Sequence, residues 1–341
     1  MTPEAMKQAA AQGSPADIFA ISYLQLCQIS YFKPEEIATA VGSMPPPGEM
    51  APNPAIGNWS VVWGPAKDWD DSNLAYAAAY IDAPTGLPVL LAVCIRGTDV
   101  NVGDPWGILK QIFEDLDVPK QVALPWAPDD PARIADGTLS ALKVIEGLSW
   151  ENQSLSDFVT GYLGDPANQT PVLVVTGHSL GGCLTTVAAP WLQNLLQTAG
   201  VPAPIVPATF AAPTAGNADF ATLFQSSFSY APRYWNAMDI VPRAWWDLTG
   251  IETIYQPCNL TPPWEVQDGL SYFESKLQGV SYVQPAEDST ELPGACDSSA
   301  GDWIDQAGIQ HSTVTYMNML GGVNILPPHS IPPIVMYKPR G

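Results

Sequence analysis

The feature that most constrains this chain is the hexapeptide Gly177-His178-Ser179-Leu180-Gly181-Gly182, a G-x-S-x-G sequence between two apolar segments of different pattern. Before it, Pro171 to Thr176 is a short run rich in β-branched residues, the pattern of a strand buried on both faces in a parallel sheet. After it, Leu180 to Leu196 has helical composition, with Pro190 expected to kink or interrupt the helix. A serine at such a strand-to-helix junction sits on a sharp, strained turn, and a side chain on either flanking glycine would meet neighbouring elements. The turn lifts the hydroxyl above the sheet, and the helix N-terminus behind it favours developing negative charge. Ser179 is therefore the candidate nucleophile, and the Leu180 amide a candidate oxyanion donor. A bare G-x-S-x-G also arises by chance; the flanking strand and helix give this one its weight.

Other segments fit the same architecture. Residues 74 to 82, the turn signal Pro84-Thr85-Gly86 and the run Leu87 to Ile95 predict a hairpin-like pair of strands. Ile205 to Ala211 and Arg233 to Asn236 are further strand candidates, and strands alternating with helices indicate an α/β sheet. Ser14-Pro15-Ala16-Asp17 reads as a helix start, with Ile18, Ile21 and Leu24 following at helical spacing. Without a composition shift to mark a linker, residues 1–341 are expected to form a single domain with an N-terminal helical extension and insertions.

A serine hydroxyl is a poor nucleophile at neutral pH and needs a histidine to accept its proton, held in turn by an acid. The chain has three histidines, His178, His311 and His329. His178 adjoins the serine, and its ring is expected to point away from the reaction site. His311 precedes an apolar, helical-looking segment, whereas His329 lies among prolines near the end, so His311 is the expected base. The acid lies between serine and histidine on this architecture, where Asp239 and Asp247 both stand; spacing alone does not separate them. Arg96-Gly97-Thr98-Asp99 closes the strand at 87–95, and Thr98 is the candidate for the second oxyanion donor.

The chain carries 34 acidic against 13 basic residues, a net charge of −21. Such a balance repels nucleic acid and anionic membrane surfaces, but not a neutral oily substrate; its plainer reading is solubility. The N-terminal residues show no basic start followed by an apolar run, so no cleavable secretory signal is expected, and no stretch of 18 apolar residues predicts a membrane-spanning helix. The five cysteines lack CxxC spacing, and neither a metal nor a cofactor is expected. Cys94 and Cys183 read as core residues; Cys258 and Cys296 would pair in an oxidising compartment.

Taken together, these motifs resemble the class-three lipases, a fungal-lipase-like α/β-hydrolase family. The strand ending in Arg96-Gly97-Thr98 is similar to the family's oxyanion loop, and Gly177 to Gly182 to its serine elbow. Thr209 to Asn217 is similar to its TFG-x-P-x-x-GN segment, Asn236 to Arg243 to its N-x-x-D-x-VPR segment, and His311 with Tyr316 to its C-terminal histidine segment. The resemblance spans roughly residues 74 to 320. It implies an α/β-hydrolase fold with a mostly parallel sheet, Asp239 rather than Asp247 as the triad acid, and a helical lid near residues 100–118. On that lid Trp106, Leu109, Phe113 and Leu116 share one helical face, and Asp115 resembles the lid-side aspartate that holds the oxyanion hydroxyl. Read without the resemblance, this is an ordinary core-facing helix. The implied activity is ester hydrolysis on lipid esters, acylglycerols foremost. A phospholipase, an acyltransferase or a non-catalytic lipid-binding protein are the alternatives. Asp136-Gly137-Thr138 departs from the family where a histidine is usual. An insertion near 245–305, rich in tryptophan, has no assigned place.

Overall fold

Seven strands line up in the order in which the chain makes them: β1 (Gly57–Lys67), β2 (Leu74–Asp82), β3 (Leu87–Ile95), β4 (Val172–His178), β5 (Ile205–Phe210), β6 (Arg233–Asn236) and β7 (Ser289–Leu292). The computed structural model describes residues 18–69, 72–97, 105–169 and 171–327, together with Met6 and Gln8. The first three strands pair antiparallel, with Ala75 opposite Ile95 in the expected hairpin. From β3 to β7 every pairing is parallel. The expected α/β-hydrolase architecture, a mostly parallel sheet flanked by helices, is what the chain forms.

This order explains where the helices lie. Parallel crossovers are right-handed, and each step from β3 to β7 moves the same way across the sheet, so the crossing helices fall on one face. They are α3 (Pro105–Asp115), α4 (Asp136–Gly147), α5 (Leu155–Gly164), α6 (Leu180–Thr198), α7 (Ala218–Ser227), α8 (Leu248–Thr253) and α9 (Trp264–Lys276). The opposite face must be covered by chain outside the crossovers. That cover is α1 (Ile18–Ile29) and α2 (Pro34–Gly42) from before the sheet, with α11 (Thr313–Met319) from after it. Between the two covers, α10 (Trp303–His311) packs with the crossover side. Strand side chains alternate accordingly: Ala77, Leu91, Val93, Leu173 and Val175 join one core, and Tyr76, Ala78, Leu90, Ala92, Val172 and Val174 the other.

One expectation is narrowed and one unplaced segment is located. Pro190 does not interrupt α6, which runs unbroken from Leu180 to Thr198. A proline forfeits one ladder bond, and the buried side chains Cys183, Leu184, Val187, Trp191 and Leu192 on either side of it hold the helix in place. The tryptophan-rich insertion is ordered: it forms α8, α9 and β7, and a Cys258–Cys296 disulfide ties the segment before α9 to the segment before α10. The helix start expected at Ser14–Asp17 lies outside the described residues. Among those residues no helix is long and apolar enough to cross a membrane.

Candidate active site

Ser179 sits between β4 and α6 with φ 59° and ψ −129°. Left-handed φ is costly for a residue with a side chain, and the surroundings over-determine it. The Ser179 amide donates to the Phe210 carbonyl at 2.9 Å, and the Ser179 carbonyl accepts from the amides of Gly182 and Cys183. The two essential glycines are explained by close approach. A Cβ on Gly177 would lie 2.2 Å from the Gly181 carbonyl oxygen, and one on Gly181 2.2 Å from the Ile95 oxygen. Strand β3, the elbow and the start of α6 therefore pack backbone against backbone. Leu180 opens α6, so its amide belongs to the first-turn donors that have no partner within a helix.

His311 is the last residue of α10, and its ring reaches the serine. Its Nε2 lies 2.9 Å from Ser179 Oγ, and its Nδ1 lies 2.8 Å from Asp239 Oδ2. Because the carboxylate only accepts, Nδ1 carries the proton and Nε2 is left to accept from the hydroxyl. Asp239 is fully buried, and Ser179 and His311 nearly so. Two further donors compensate the buried carboxylate: Tyr316 Oη donates to Oδ2 at 2.8 Å, and the Val241 amide donates to Oδ1 at 3.0 Å. Burial, followed by the Asp239 charge, pushes the Tyr316 hydroxyl well above its ordinary range, so it stays a donor.

Asn236 knits acid and base together. Its amide nitrogen donates to Tyr316 Oη at 2.9 Å, and its side chain donates to both the backbone oxygen and Oε1 of Gln310. Behind the histidine, His178 Nε2 donates to the His311 carbonyl at 2.9 Å, and Tyr31 Oη lies 3.4 Å from His178 Nδ1. Burial, and then the neighbouring His311, hold the His178 ring well below the ordinary histidine range. A hydroxyl, an imidazole and a carboxylate in one hydrogen-bonded line form the constellation that activates a serine for attack on a carbonyl.

Residues 92–247 match the family model described as Lipase (class 3). A solved structure of M37 lipase is 26% identical and superposes with a TM-score of 0.72, covering 89% of this chain and 91% of that one. The chain thus resembles the class 3 lipases in sequence over these residues and M37 lipase in fold along most of its length. A variant of MDLA from Penicillium cyclopium shares the fold at 18% identity and a TM-score of 0.50, covering 83% of this chain and 81% of that one. No curated protein sequence matches the chain.

In this lipase-like carboxylic ester hydrolase, the structure brings Ser179, His311 and Asp239 together. Asp247 is elsewhere occupied: it caps α8 through Gly250 and pairs with Arg243. Thr98 and His329 lie outside the described residues, as does the side chain of Asp115. Trp106, Leu109 and Phe113 are buried on α3, and Leu116, the residue just after its end, is buried with them. His178 does turn from the serine, but its ring comes to 4.8 Å from that of His311. The supporting roles of Gln310, Tyr31 and His178 carry no sequence signal, because each depends on a partner more than seventy residues away.

Proposed function

We propose that this lipase cleaves carboxylic esters of lipids, acylglycerols foremost, through an acyl-enzyme on Ser179. The observation that carries this reading is the buried line Ser179 Oγ, His311 Nε2 and Nδ1, Asp239 Oδ2. His311 Nε2 takes the hydroxyl proton as Oγ attacks the ester carbonyl carbon. The tetrahedral oxygen receives a hydrogen bond from the Leu180 amide, with Thr98 as the proposed second donor. Collapse expels the alcohol, which leaves with the proton from Nε2. A water molecule, deprotonated by the same nitrogen, then releases the acid and restores the serine. Helix α3 is the proposed lid: its apolar face is buried and it packs on α10, which ends in His311. An uncharged ester suits a chain of net charge −21.

The test is Ser179→Ala with hydrolysis of p-nitrophenyl esters of rising chain length and labelling by a fluorophosphonate probe. Turnover is expected to fall on the order of a million-fold with the fold intact, and labelling to vanish. Asp239→Asn is expected to cost about ten-thousand-fold by favouring the wrong imidazole tautomer, while Asp247→Asn leaves turnover unchanged. Labelling that persists on another serine in Ser179→Ala overturns the assignment.

A further inference from the structure

Asp239 and His311 meet through their side chains, but the backbone carrying each arrives separately, the acid on the turn after β6 and the base at the end of α10, 72 residues later. A third piece of chain lies between them. Strand β7 runs beside β6, with Leu292 opposite Asn236 and its carbonyl accepting from the Ala237 amide at 3.0 Å. The chain then presses on the acid side at Gly294, where a Cβ would fall 2.3 Å from Asn236 Oδ1 and 2.4 Å from Met238 Cγ. The next residues turn to the base side. The Ala295 carbonyl accepts from Gln310 Nε2 at 2.7 Å, and the Asp297 amide donates to Gln306 Oε1 at 3.2 Å. Residues 294–297 are therefore a strap, touching the residues around Asp239 on one side and the helix of His311 on the other.

Cys296 stands between the two strap residues that bond to α10, and it is joined to Cys258. That far end is anchored on the same two bodies. The amides of Cys258 and Leu260 donate to the Tyr255 carbonyl at 3.0 and 3.1 Å. Tyr255 Oη donates to the Met238 carbonyl at 2.8 Å, one residue before the acid, and the Tyr255 ring meets that of Trp303, the first residue of α10, at 5.2 Å. Burial, and then the Asp239 charge, push the Tyr255 hydroxyl well above its ordinary range, so it stays a donor. Pro293, Ala295 and Cys296 are exposed, so apolar burial does not seat the strap. The covalent bond to the Tyr255 anchor takes that place.

We propose that Cys258 and Cys296 are positioning residues of this active site: their disulfide seats the strap that fixes α10, and with it His311, against the acid turn. The proposal rests on the reading of His311 as the base that serves Ser179. A catalytic constellation works only when held to within about 0.5 Å of its productive geometry. Play in the strap therefore slows proton transfer at Ser179 and leaves ester binding alone.

The test is the double variant Cys258→Ser/Cys296→Ser, with kcat and KM for dissolved p-nitrophenyl butyrate measured in the cold, far below the unfolding transition. The expected result is a kcat about tenfold lower with KM nearly unchanged, and fluorophosphonate labelling slowed by the same factor. Dithiothreitol should reproduce the loss in the wild-type protein, since Cys296 is exposed. Two thiols form as the reagent closes to its own cyclic disulfide, and reoxidation restores the rate. The double variant should be indifferent to the reagent, which separates this pair from the buried thiols Cys27, Cys94 and Cys183. Gln306→Met removes the acceptor for the Asp297 amide and leaves the disulfide intact. It is expected to lower kcat about threefold and to add little to the cysteine variant, because both loosen one strap. It also decides the matter if the cysteine variant fails to fold. A disulfide that merely restricts the unfolded chain would lower Tm and leave kcat in the cold unchanged. That outcome, or a change confined to KM, overturns the proposal. Labelling that survives Ser179→Ala overturns the reading of the triad instead, a distinct result.

Discussion

Ser179 and His311 lie 2.9 Å apart and are held by opposite means. The serine is fixed by its own neighbourhood. Four residues on either side supply the strand, the glycines that permit contact and the helix, and Phe210 on the next strand supplies one hydrogen bond. The histidine ends a nine-residue helix that has no strand leading into it. It is placed by Asp239, by His178 against its carbonyl, and by Asn236 gripping Gln310, which itself donates to Ala295. The nucleophile is thus a local device and the base a tertiary one. The first is rigid because backbone meets backbone; the second is adjustable because side chains hold it.

Breaking the local device should have the larger effect. In Gly177→Ala the new methyl would press on backbone atoms of Gly181, oxygen at 2.2 Å and carbon at 2.3 Å, which no rotamer change relieves. We expect a loss of about 4 kcal/mol or more, in the range reserved for severe strain. A steep drop in turnover should accompany it although all three triad side chains remain. Denaturant unfolding and p-nitrophenyl ester kinetics measure the two. A fold and turnover close to wild type would mean that the elbow is far more pliable than its contacts imply.

The same division governs what the amino-acid order reveals. The elbow, the β2–β3 hairpin and strands β4, β5 and β6 are legible because each is specified by a few consecutive residues: β-branched runs, turn residues and glycines at fixed offsets. Strand β1 is not legible. Gly64 and Pro65 stand inside it, and its register to β2 shifts twice, which only an edge strand tolerates. Strand β7, Ser289–Leu292, is also an edge, mostly polar, and takes its pairing from β6 alone. Asp239 is told from Asp247 by family resemblance before geometry does so. The insertion stays opaque because α9 is specified by the face of α3 that it covers, and that pairing joins residues about 160 apart.

Loosening the tertiary device should have an intermediate effect and a different signature. Tyr316→Phe deletes the donor to Asp239 Oδ2 and the acceptor for the Asn236 amide. The buried carboxylate keeps His311 and Val241, so the triad survives with a less well-fixed acid. Turnover is expected to fall about tenfold with KM nearly unchanged, because the interaction matters to the charge that develops on the imidazole rather than to ester binding. The Asn236 amide, left buried without its partner, should cost about 1–3 kcal/mol of stability. A change in KM alone would place Tyr316 in the binding cleft instead of behind the acid.

The smallest expected effect concerns the histidine behind the base. His178 lies between Tyr31, which faces its Nδ1, and the His311 carbonyl, which accepts from Nε2, with the edge of Tyr316 against its ring. Burial first, and then His311, hold its proton affinity well below the ordinary value of 6.5, while the hydrogen bond to the His311 carbonyl pulls weakly the other way. The unfolded chain takes up a proton at this residue near pH 6.5, whereas the folded protein does not until much lower pH. The unfolded state therefore binds more protons in that window, and stability rises with pH there. This contribution is fully present above about 6.5 and is lost as pH falls from there toward the folded-state value, at no more than about 1.4 kcal/mol per pH unit. A net charge of −21 acts in the opposite sense, since acidification relieves repulsion among the carboxylates. The informative quantity is therefore the difference from His178→Asn, which keeps an amide donor but cannot titrate. Between pH 7 and pH 5 the wild-type Tm should fall relative to that of His178→Asn, with the gap closing above pH 7 apart from a constant offset. A gap independent of pH would mean that His178 supports His311 by shape alone, and that its proton plays no part in holding the base.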